Sequence, residues 1–335
     1  SLGIIDNTIL DFHSGELDDY TKEKEETTLR QLVKARSGLN KYGPEELKGQ
    51  ELLTWEITAW FLDNLIDQRK FAHDNYRINQ ISGVTVSLPQ FLTDTHAIVD
   101  ERSAERYISR LREFARVLDE VKVRVIDDAA HDVIPPDFIV EKTLSGLNAF
   151  ISYGAKKNPL VTTFEDRLSE INSVTDYEKN KFLESAEEIV GSRILPEYKE
   201  IIEVFNKFSS STDHRAGIWR IPNGEAIYKV RLQSSTTTDI SAEDIHELGL
   251  KEVLRIRNEM DQILISLNQT NGAVVDRVKA LMESPDQLFP NTDQGRLEMI
   301  SYLESLDEEL MDKAPHFFST IPPQPLEIKR VPIYA

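Results

Sequence analysis

Cysteine is absent from the 335 residues of this chain. Its absence excludes a disulfide framework, a thiol nucleophile and a thiolate metal site, although proteins of any compartment can do without disulfides. Long apolar runs are also absent, and none approaches the roughly 20 residues that span a bilayer. The first residues, SLGIIDNTIL, lack the basic and apolar regions of a signal peptide. We therefore expect no transmembrane segment, and we expect that any signal peptide has been removed.

Positive charge is scarce, because 39 Lys and Arg stand against 58 Asp and Glu and the net charge is −19. This field repels phosphate backbones, and no basic stripe compensates it, so we expect no nucleic-acid partner. The 40% hydrophobic and 29% charged content is typical of a globular protein. The length suits one large domain or two ordinary ones.

Motifs that carry chemistry are missing as well. The sequence has no Walker phosphate loop, no G-x-G-x-x-G and no G-x-S-x-G. In AEDIHELGL, His246 and Glu247 begin like the zinc-peptidase signature H-E-x-x-H, but Leu250 occupies the position of the second His. The other histidines show no pair at the spacing of a ligand set, and His214 stands beside Arg215 in an irregular segment. We expect no catalytic residue, no metal site and no cofactor in this chain. We expect His246 to cap or hydrogen-bond a neighbouring element at the helix N-terminus.

The dominant periodicity is helical. Apolar residues recur at steps of three and four in AERYISRLREFARVLDEV, a spacing that places Ala104, Ile108, Leu111 and Leu118 on one face. A second stripe follows a capping-box-like start at Ser241 and includes Val253, Ile256 and Met260. Such stripes indicate packed cores, so the sequence predicts a mainly α-helical array with these faces buried.

One β element is predicted within this array. Segment 211–240 is the least helical, and its Pro-Asn-Gly turn is flanked by apolar residues, which predicts a small hairpin or strand near 218–233. We expect one large helical unit over 1–320. The Pro-rich segment 321–335 is then an extended connector toward a further domain, with a docking strand through Ile328, Val331 and Ile333.

A block of the sequence resembles a known bacterial family. The run GIWRIPNGEAIYKVRLQSSTTTDISAEDIHELGLKEVLRIRNEM is similar to a characteristic block of domain-of-unknown-function family 885. SGVTVSLPQFL, ERSAERYISRLREFARVLDEV, VIPPDFIVEKTL and FFSTIPPQPLEIKRVP also resemble family segments, in the same order. The similarity extends over essentially the whole chain.

The resemblance implies more than the residues alone. Family members are longer, are often exported or lipid-anchored, and look like zinc metallopeptidases related to helical carboxypeptidases, with H-E-x-x-H beyond the Pro-rich segment. It implies that this chain is the N-terminal, substrate-groove half, with the fold of the helical half of a zinc carboxypeptidase-like protein. Zinc is implied for the longer protein only, since no position here matches its ligands. A periplasmic or lipid-anchored location is implied too.

On this hypothesis the longer protein hydrolyses peptide bonds at a zinc-bound water with a Glu as base, and this chain alone is inactive. Trp219, Tyr228 and Arg231 are the candidate groove residues, an amphipathic and cationic set suited to a peptide or its carboxylate. Packing around the predicted hairpin is the alternative role for these three. The rival function is a non-enzymatic exported helical module that binds a partner or ligand. An H-E-x-x-H shortly after residue 335 of the native reading frame favours the peptidase.

Overall fold

The computed structural model describes residues 13–324 and 326–328, and they are mainly helical, as the sequence predicts. None of the helices in these ranges is long and apolar enough to cross a membrane. The α-helices are α1 Lys22–Leu39, α2 Gln50–Gln68, α3 Val84–Gln90, α4 Glu101–Ala130, α5 Asp137–Ser152, α6 Pro159–Ser169, α7 Asp176–Ile189, α8 Leu195–Ser209, α9 Gly224–Thr236, α10 Ala242–Ser266, α11 Val274–Met282 and α12 Asp293–Lys313. Shorter helical turns are the π segments Phe91–Thr95 and Val190–Ile194 and the 3-10 segments Pro44–Glu46, Ile218–Arg220, Pro285–Gln287 and Ala314–His316.

The chain divides into two compact units, Ser1–Asp239 and Ile240–Ala335, whereas the sequence suggested one unit over 1–320. The first unit is built on α4, a helix of 30 residues. A capping box starts this helix, because Asp100 accepts from the backbone N–H of Ser103 at 2.8 Å and the Ser103 hydroxyl accepts from the N–H of Asp100 at 2.9 Å. The predicted stripe is confirmed as core, with at most 4% exposure at each of its members, Ala104, Ile108, Leu111 and Leu118.

Helices surround α4 and bury its apolar stripe. α7 and α8 pack against α4, while α5 packs against α8 and α6 against α7. Two aromatic stacks join helices of this array, Tyr107 of α4 on Phe164 of α6 and Tyr198 of α8 on Phe150 of α5, each with ring centroids 4.4 Å apart. Both tyrosine hydroxyls donate to backbone carbonyls. Burial raises the pKa of both phenols, so they remain protonated donors.

The β element predicted near 218–233 is wrong, since the described residues contain no strand. The Pro-Asn-Gly turn does form, but it starts a helix: Asn223 has φ 58° and ψ 20° and is the N-cap of α9. A Cβ on Gly224 would lie 2.0 Å from the carbonyl oxygen of Ile218. Only glycine therefore allows the chain to pass from the 3-10 turn directly into α9.

Apolar residues flanking this turn explain the error. Ile221 and Ile227 are both buried and form a small cluster with Val133, beside Phe71 and Tyr76. These side chains meet in one place because a 3-10 turn and a helix bring them together, and not because they alternate along two strands. A short apolar run next to Asn-Gly fits both arrangements, so periodicity alone did not separate them.

The second unit contains α10, α11 and α12. Arg277 on α11 is 7% exposed and fastens α11 to α10, because its Nη1 donates to the Gln269 carbonyl at 2.8 Å and its Nη2 donates to Asp261. The predicted burial of the α10 stripe is wrong, since Val253 is 55% and Ile256 44% exposed. The helical period was correct, but the buried residue of α10 is Leu264.

The Pro-rich end is described only in part. Residues 321–324 and 326–328 adopt neither helix nor strand. Val331 and Ile333, on which the predicted docking strand depends, lie outside the described residues. The connector therefore stays a prediction.

Two valines on α4 test the placement of the core. Val117 is fully buried, whereas Val123 on the same helix is 56% exposed. We expect Val117→Ala to lower the free energy of unfolding by about 2 kcal/mol, because it removes buried methyl groups and leaves a cavity. Val123→Ala is the matched control, with an expected change within about 0.5 kcal/mol. Urea denaturation followed by circular dichroism measures both, and equal losses would contradict this orientation of α4.

Candidate functional site

Three cavities of the first unit are each lined by several residues of segment 69–83, which leads from α2 to α3. We call them the Arg231 cavity, of about 500 Å³, the histidine cavity, of about 430 Å³, and the Arg124 cavity, of about 230 Å³. Asn75 and Arg77 line both the first and the third. The Arg231 cavity is lined by Asp74, Asn75, Tyr76, Arg77, Asn79, Ser82, Ala216, Ile218, Ile221 and Arg231. The histidine cavity is lined by Lys70, Phe71, Ala72, His73, Ala130, His131, Asp132, Pro222, Asn223 and Ile227. The Arg124 cavity is lined by Tyr20, Asn75, Arg77, Gly83, Val84, Ser87, Val121 and Arg124.

A tight turn fixes the segment that bears these residues. Gly83 has φ 100°, and a Cβ there would lie 2.3 Å from the carbonyl oxygen of Arg77, so the turn requires glycine. The Asn79 side chain accepts from the backbone N–H groups of Ile81 and Ser82, each at 2.9 Å. The turn places Arg77 beside the C-terminal part of α4.

A buried carboxylate on α4 organises the polar groups of this region. Asp128 is 3% exposed. Its Oδ2 accepts from Arg77 Nε at 2.6 Å, and its Oδ1 lies 2.6 Å from His73 Nδ1. Because the carboxylate oxygens accept hydrogen bonds and Arg77 already donates to Oδ2, the His73 nitrogen is the donor to Oδ1. One side chain of α4 thereby holds two residues of segment 69–83.

The network continues from Arg77 to α1. Glu25 accepts from Arg77 Nη1 at 3.0 Å and from Arg124 Nη2 at 2.7 Å. Burial alone lowers the pKa of Arg77, but the carboxylates of Asp128 and Glu25 outweigh burial and raise it above the ordinary value. The charge of Arg77 is therefore permanent. Among the described residues, Nε and Nη1 of Arg124 have no hydrogen-bond partner although both atoms are buried.

Two histidines meet at the end of α4. The rings of His73 and His131 are stacked, with centroids 4.0 Å apart and planes inclined by 13°. His131 Nδ1 lies 2.8 Å from the backbone carbonyl oxygen of Asp127, to which it donates, and 3.5 Å from its Oδ1. One ligand-type atom from each of these three residues lies within 4.8 Å of the other two. Within the described part of the chain, this is the group that has the composition and spacing to hold a metal ion.

The predicted groove residues are only partly brought together. Arg231 lines its cavity, where its Nη2 donates to the backbone carbonyl of Asp74 at 2.7 Å and to its Oδ2 at 3.1 Å. Trp219 and Tyr228 are 64% and 46% exposed, and neither is among the residues that line the cavity. Trp219 instead lies beside Arg215, whose guanidinium carbon is 6.0 Å from the indole ring centroid.

His214 and His246 have separate surroundings. His214 Nδ1 is 2.9 Å from Asp137 Oδ1, and its side chain is 83% exposed. His246 is exposed on α10, and Leu250, at the position of a second imidazole, is 60% exposed. This turn of α10 therefore does not fit the zinc centre that the resemblance implies for longer proteins, and no catalytic step is assigned to it.

The residues of the network were not predicted, although the sequence carries a signal for them. Arg124 and Asp128 lie on the core stripe of α4, where a charged residue must have a partner. Asp127 and His131 are an i,i+4 pair, and a pattern of paired histidines does not include it because one member is a carboxylate. His73 is 55 residues from Asp128, so sequence spacing gives no sign of their contact.

Comparison with known proteins agrees on the fold. The sequence model of a family described as "Bacterial protein of unknown function (DUF885)" matches residues 1–335. A solved structure, described as that of the "putative lipoprotein from Colwellia psychrerythraea", has a TM-score of 0.88 and 24% sequence identity. The match covers 96% of this chain and 56% of that one. None of the curated proteins matches this chain.

Removal of the buried charge tests the network. We expect Asp128→Asn to lower the free energy of unfolding by about 3 kcal/mol, because the Arg77 guanidinium loses a paired charge inside the protein. Asp119→Asn on the same helix is the control, since the Asp119 side chain is 58% exposed in its ion pair with Lys122. Chemical denaturation measures both variants. A loss for Asp128→Asn no larger than that for Asp119→Asn would show that the network is not a structural requirement.

Proposed function

The chain belongs to a family of bacterial proteins of unknown function, DUF885, and on that premise we propose that it forms the peptide-binding part of a longer metallopeptidase-like hydrolase. The chain covers 56% of the Colwellia psychrerythraea structure, which supports a longer parent protein. In this proposal the chain is the N-terminal half, and the zinc centre and its water belong to the other half. The description of that structure as a lipoprotein supports an envelope location.

The composition of the Arg231 cavity carries the proposal. Its wall combines two guanidinium groups, of Arg77 and Arg231, with amide side chains and the apolar Ile218 and Ile221. A peptide presents the matching chemistry, namely a carboxylate, backbone amides and apolar side chains. The volume of about 500 Å³ lies within the range of small-ligand sites.

The two arginines have different roles in this binding. Arg77 donates from Nε to Asp128, from Nη1 to Glu25 and from Nη2 to the Ala72 carbonyl at 3.0 Å, so its donors are engaged within the protein. Arg231 makes its hydrogen bonds to Asp74 through Nη2, and its side chain is 41% exposed. Arg231 Nε and Nη1 are thus the donors for a substrate carboxylate, while Arg77 supplies fixed positive charge.

Exposed apolar side chains on the second unit favour a second candidate function. Leu250, Leu254 and Ile263 on α10 are 60%, 63% and 60% exposed. Surface of this kind marks contact with other protein. It fits a non-enzymatic helical module that binds a partner, and it also fits packing against the remainder of a longer chain. The native reading frame separates the two functions, since H-E-x-x-H beyond residue 335 supports the hydrolase.

Peptide binding tests the role of Arg231. We expect short apolar peptides with a free C-terminal carboxylate to bind this chain, and Arg231→Gln to weaken them about tenfold, because one charge-assisted pair is lost. Amidated versions of the same peptides are expected to bind weakly and to be insensitive to the substitution. Lys229→Gln is the control, an exposed cation on the same helix. Isothermal titration calorimetry measures the Kd values, and equal affinity for acid and amide peptides would contradict the proposal.

A further inference from the structure

We propose that the Arg124 cavity binds a small oxyanion, a carboxylate or a phosphate group, at the Arg124 guanidinium. The wall of this cavity includes residues of α3, α4 and segment 69–83, all within the first unit. The inference does not depend on the peptide-binding function, because Arg231 lines a different cavity.

Arg124 is a buried cation whose hydrogen bonds are incomplete. It lies on the core face of α4, and its side chain is 4% exposed. Its Nη2 donates to Glu25 at 2.7 Å, while Nε and Nη1 have no partner among the described residues. Buried polar groups in folded proteins are nearly always hydrogen-bonded. Two unused donors on one guanidinium therefore indicate an acceptor that comes from outside the chain.

The carboxylates near Arg124 leave part of its charge uncompensated. Asp128 already accepts from Arg77 and His73. Glu25 is shared, since it accepts one hydrogen bond from Arg77 and one from Arg124. Among the described residues that line the cavity, Arg77 and Arg124 are charged and none carries a carboxylate. This wall attracts an anion although the whole protein, with a net charge of −19, repels anions.

The volume of the cavity and the rest of its lining favour a small ligand. At about 230 Å³ the cavity is smaller than typical sites for cofactors and drug-sized molecules. Tyr20 and Asn75 carry a hydroxyl and an amide, which are further donors for an oxyanion. Val84 and Val121 add apolar surface, and a less polar environment strengthens the attraction between charges. Carboxylate and phosphate groups pair strongly with guanidinium and supply the acceptor oxygens that this wall lacks.

Binding requires a small movement of Arg124. Nε and Nη1 have almost no exposed surface, so the guanidinium must turn toward the cavity that its side chain lines. Glu25 is 44% exposed and has room to follow this turn. The anion then binds beside the Glu25 contact that joins α1 to α4, and we expect it to stabilise the folded chain.

Titration with two simple anions tests the site. The full chain is titrated with inorganic phosphate and, separately, with acetate, at an ionic strength held constant with sodium chloride, and isothermal titration calorimetry records the heat. We expect saturable binding of at least one anion at one site per chain, with a rise in Tm as its concentration increases. Binding of phosphate alone assigns the site to phosphate groups, binding of acetate alone assigns it to carboxylates, and binding of both assigns it to either group.

Two variants with matched controls locate the binding. Arg124→Gln removes the guanidinium and is expected to weaken binding about tenfold, because a charge-assisted pair is lost. Arg112→Gln is its control, since it removes the same charge from an exposed position of α4. Ser87→Asp places a carboxylate at an exposed position of the cavity lining, on α3, and is expected to weaken binding by a similar factor. Gln90→Glu adds the same charge at an exposed position of α3, and we expect it to bind like the parent protein.

The adverse result is equally concrete. Circular dichroism checks the fold of each variant, and Ser87→Asp decides the question if Arg124→Gln does not fold. Absence of saturable binding of both anions by the parent protein would overturn the proposal. Equal affinity of the parent and Ser87→Asp proteins would overturn it as well.

Discussion

The burial of the Asp128 carboxylate determines how the first unit is assembled around its cavities. At 3% exposure this charge costs several kcal/mol unless it is paired. The groups that pair with it, His73 and Arg77, come from the segment after α2. Glu25 of α1 then accepts hydrogen bonds from both Arg77 and Arg124. Satisfying one carboxylate on α4 therefore fixes the path of segment 69–83 and its distance from α1.

The same contacts give the cavity walls their chemistry. Because Asp128 fixes both His73 and Arg77, a ring nitrogen and a permanent positive charge are held on separate walls by one buried group. Arg231 is anchored to Asp74 through Nη2, which donates to the backbone carbonyl and to the carboxylate of that residue. Side chains whose positions are fixed by a second layer of hydrogen bonds bind with little loss of conformational entropy. The contacts that stabilise the fold thus also fix the side chains that face the cavities.

Much of the helical framework could be predicted from the sequence, since Ala104 to Leu118 repeat with the period of a buried helix face. The hairpin could not be distinguished from a 3-10 turn followed by α9, because Asn223 and Gly224 suit both. Arg231 was predicted as a groove residue from its chemistry, and in the structure it lines a cavity. His73, by contrast, reaches α4 only through tertiary folding, and no local pattern encodes contacts between distant segments.

The position of the ring proton in His73 and His131 gives the most direct test of the account. It shows whether the contacts of these rings to the Asp128 carboxylate and the Asp127 carbonyl exist in solution. In solution, long-range ¹H–¹⁵N NMR at about pH 9, above the ordinary titration range of imidazole, distinguishes the two tautomers of each ring. The account predicts the Nδ1–H tautomer for both residues, because a carboxylate and a backbone carbonyl face those nitrogens. An Nε2–H tautomer in either ring would mean that its contact to Asp128 or Asp127 does not exist in solution.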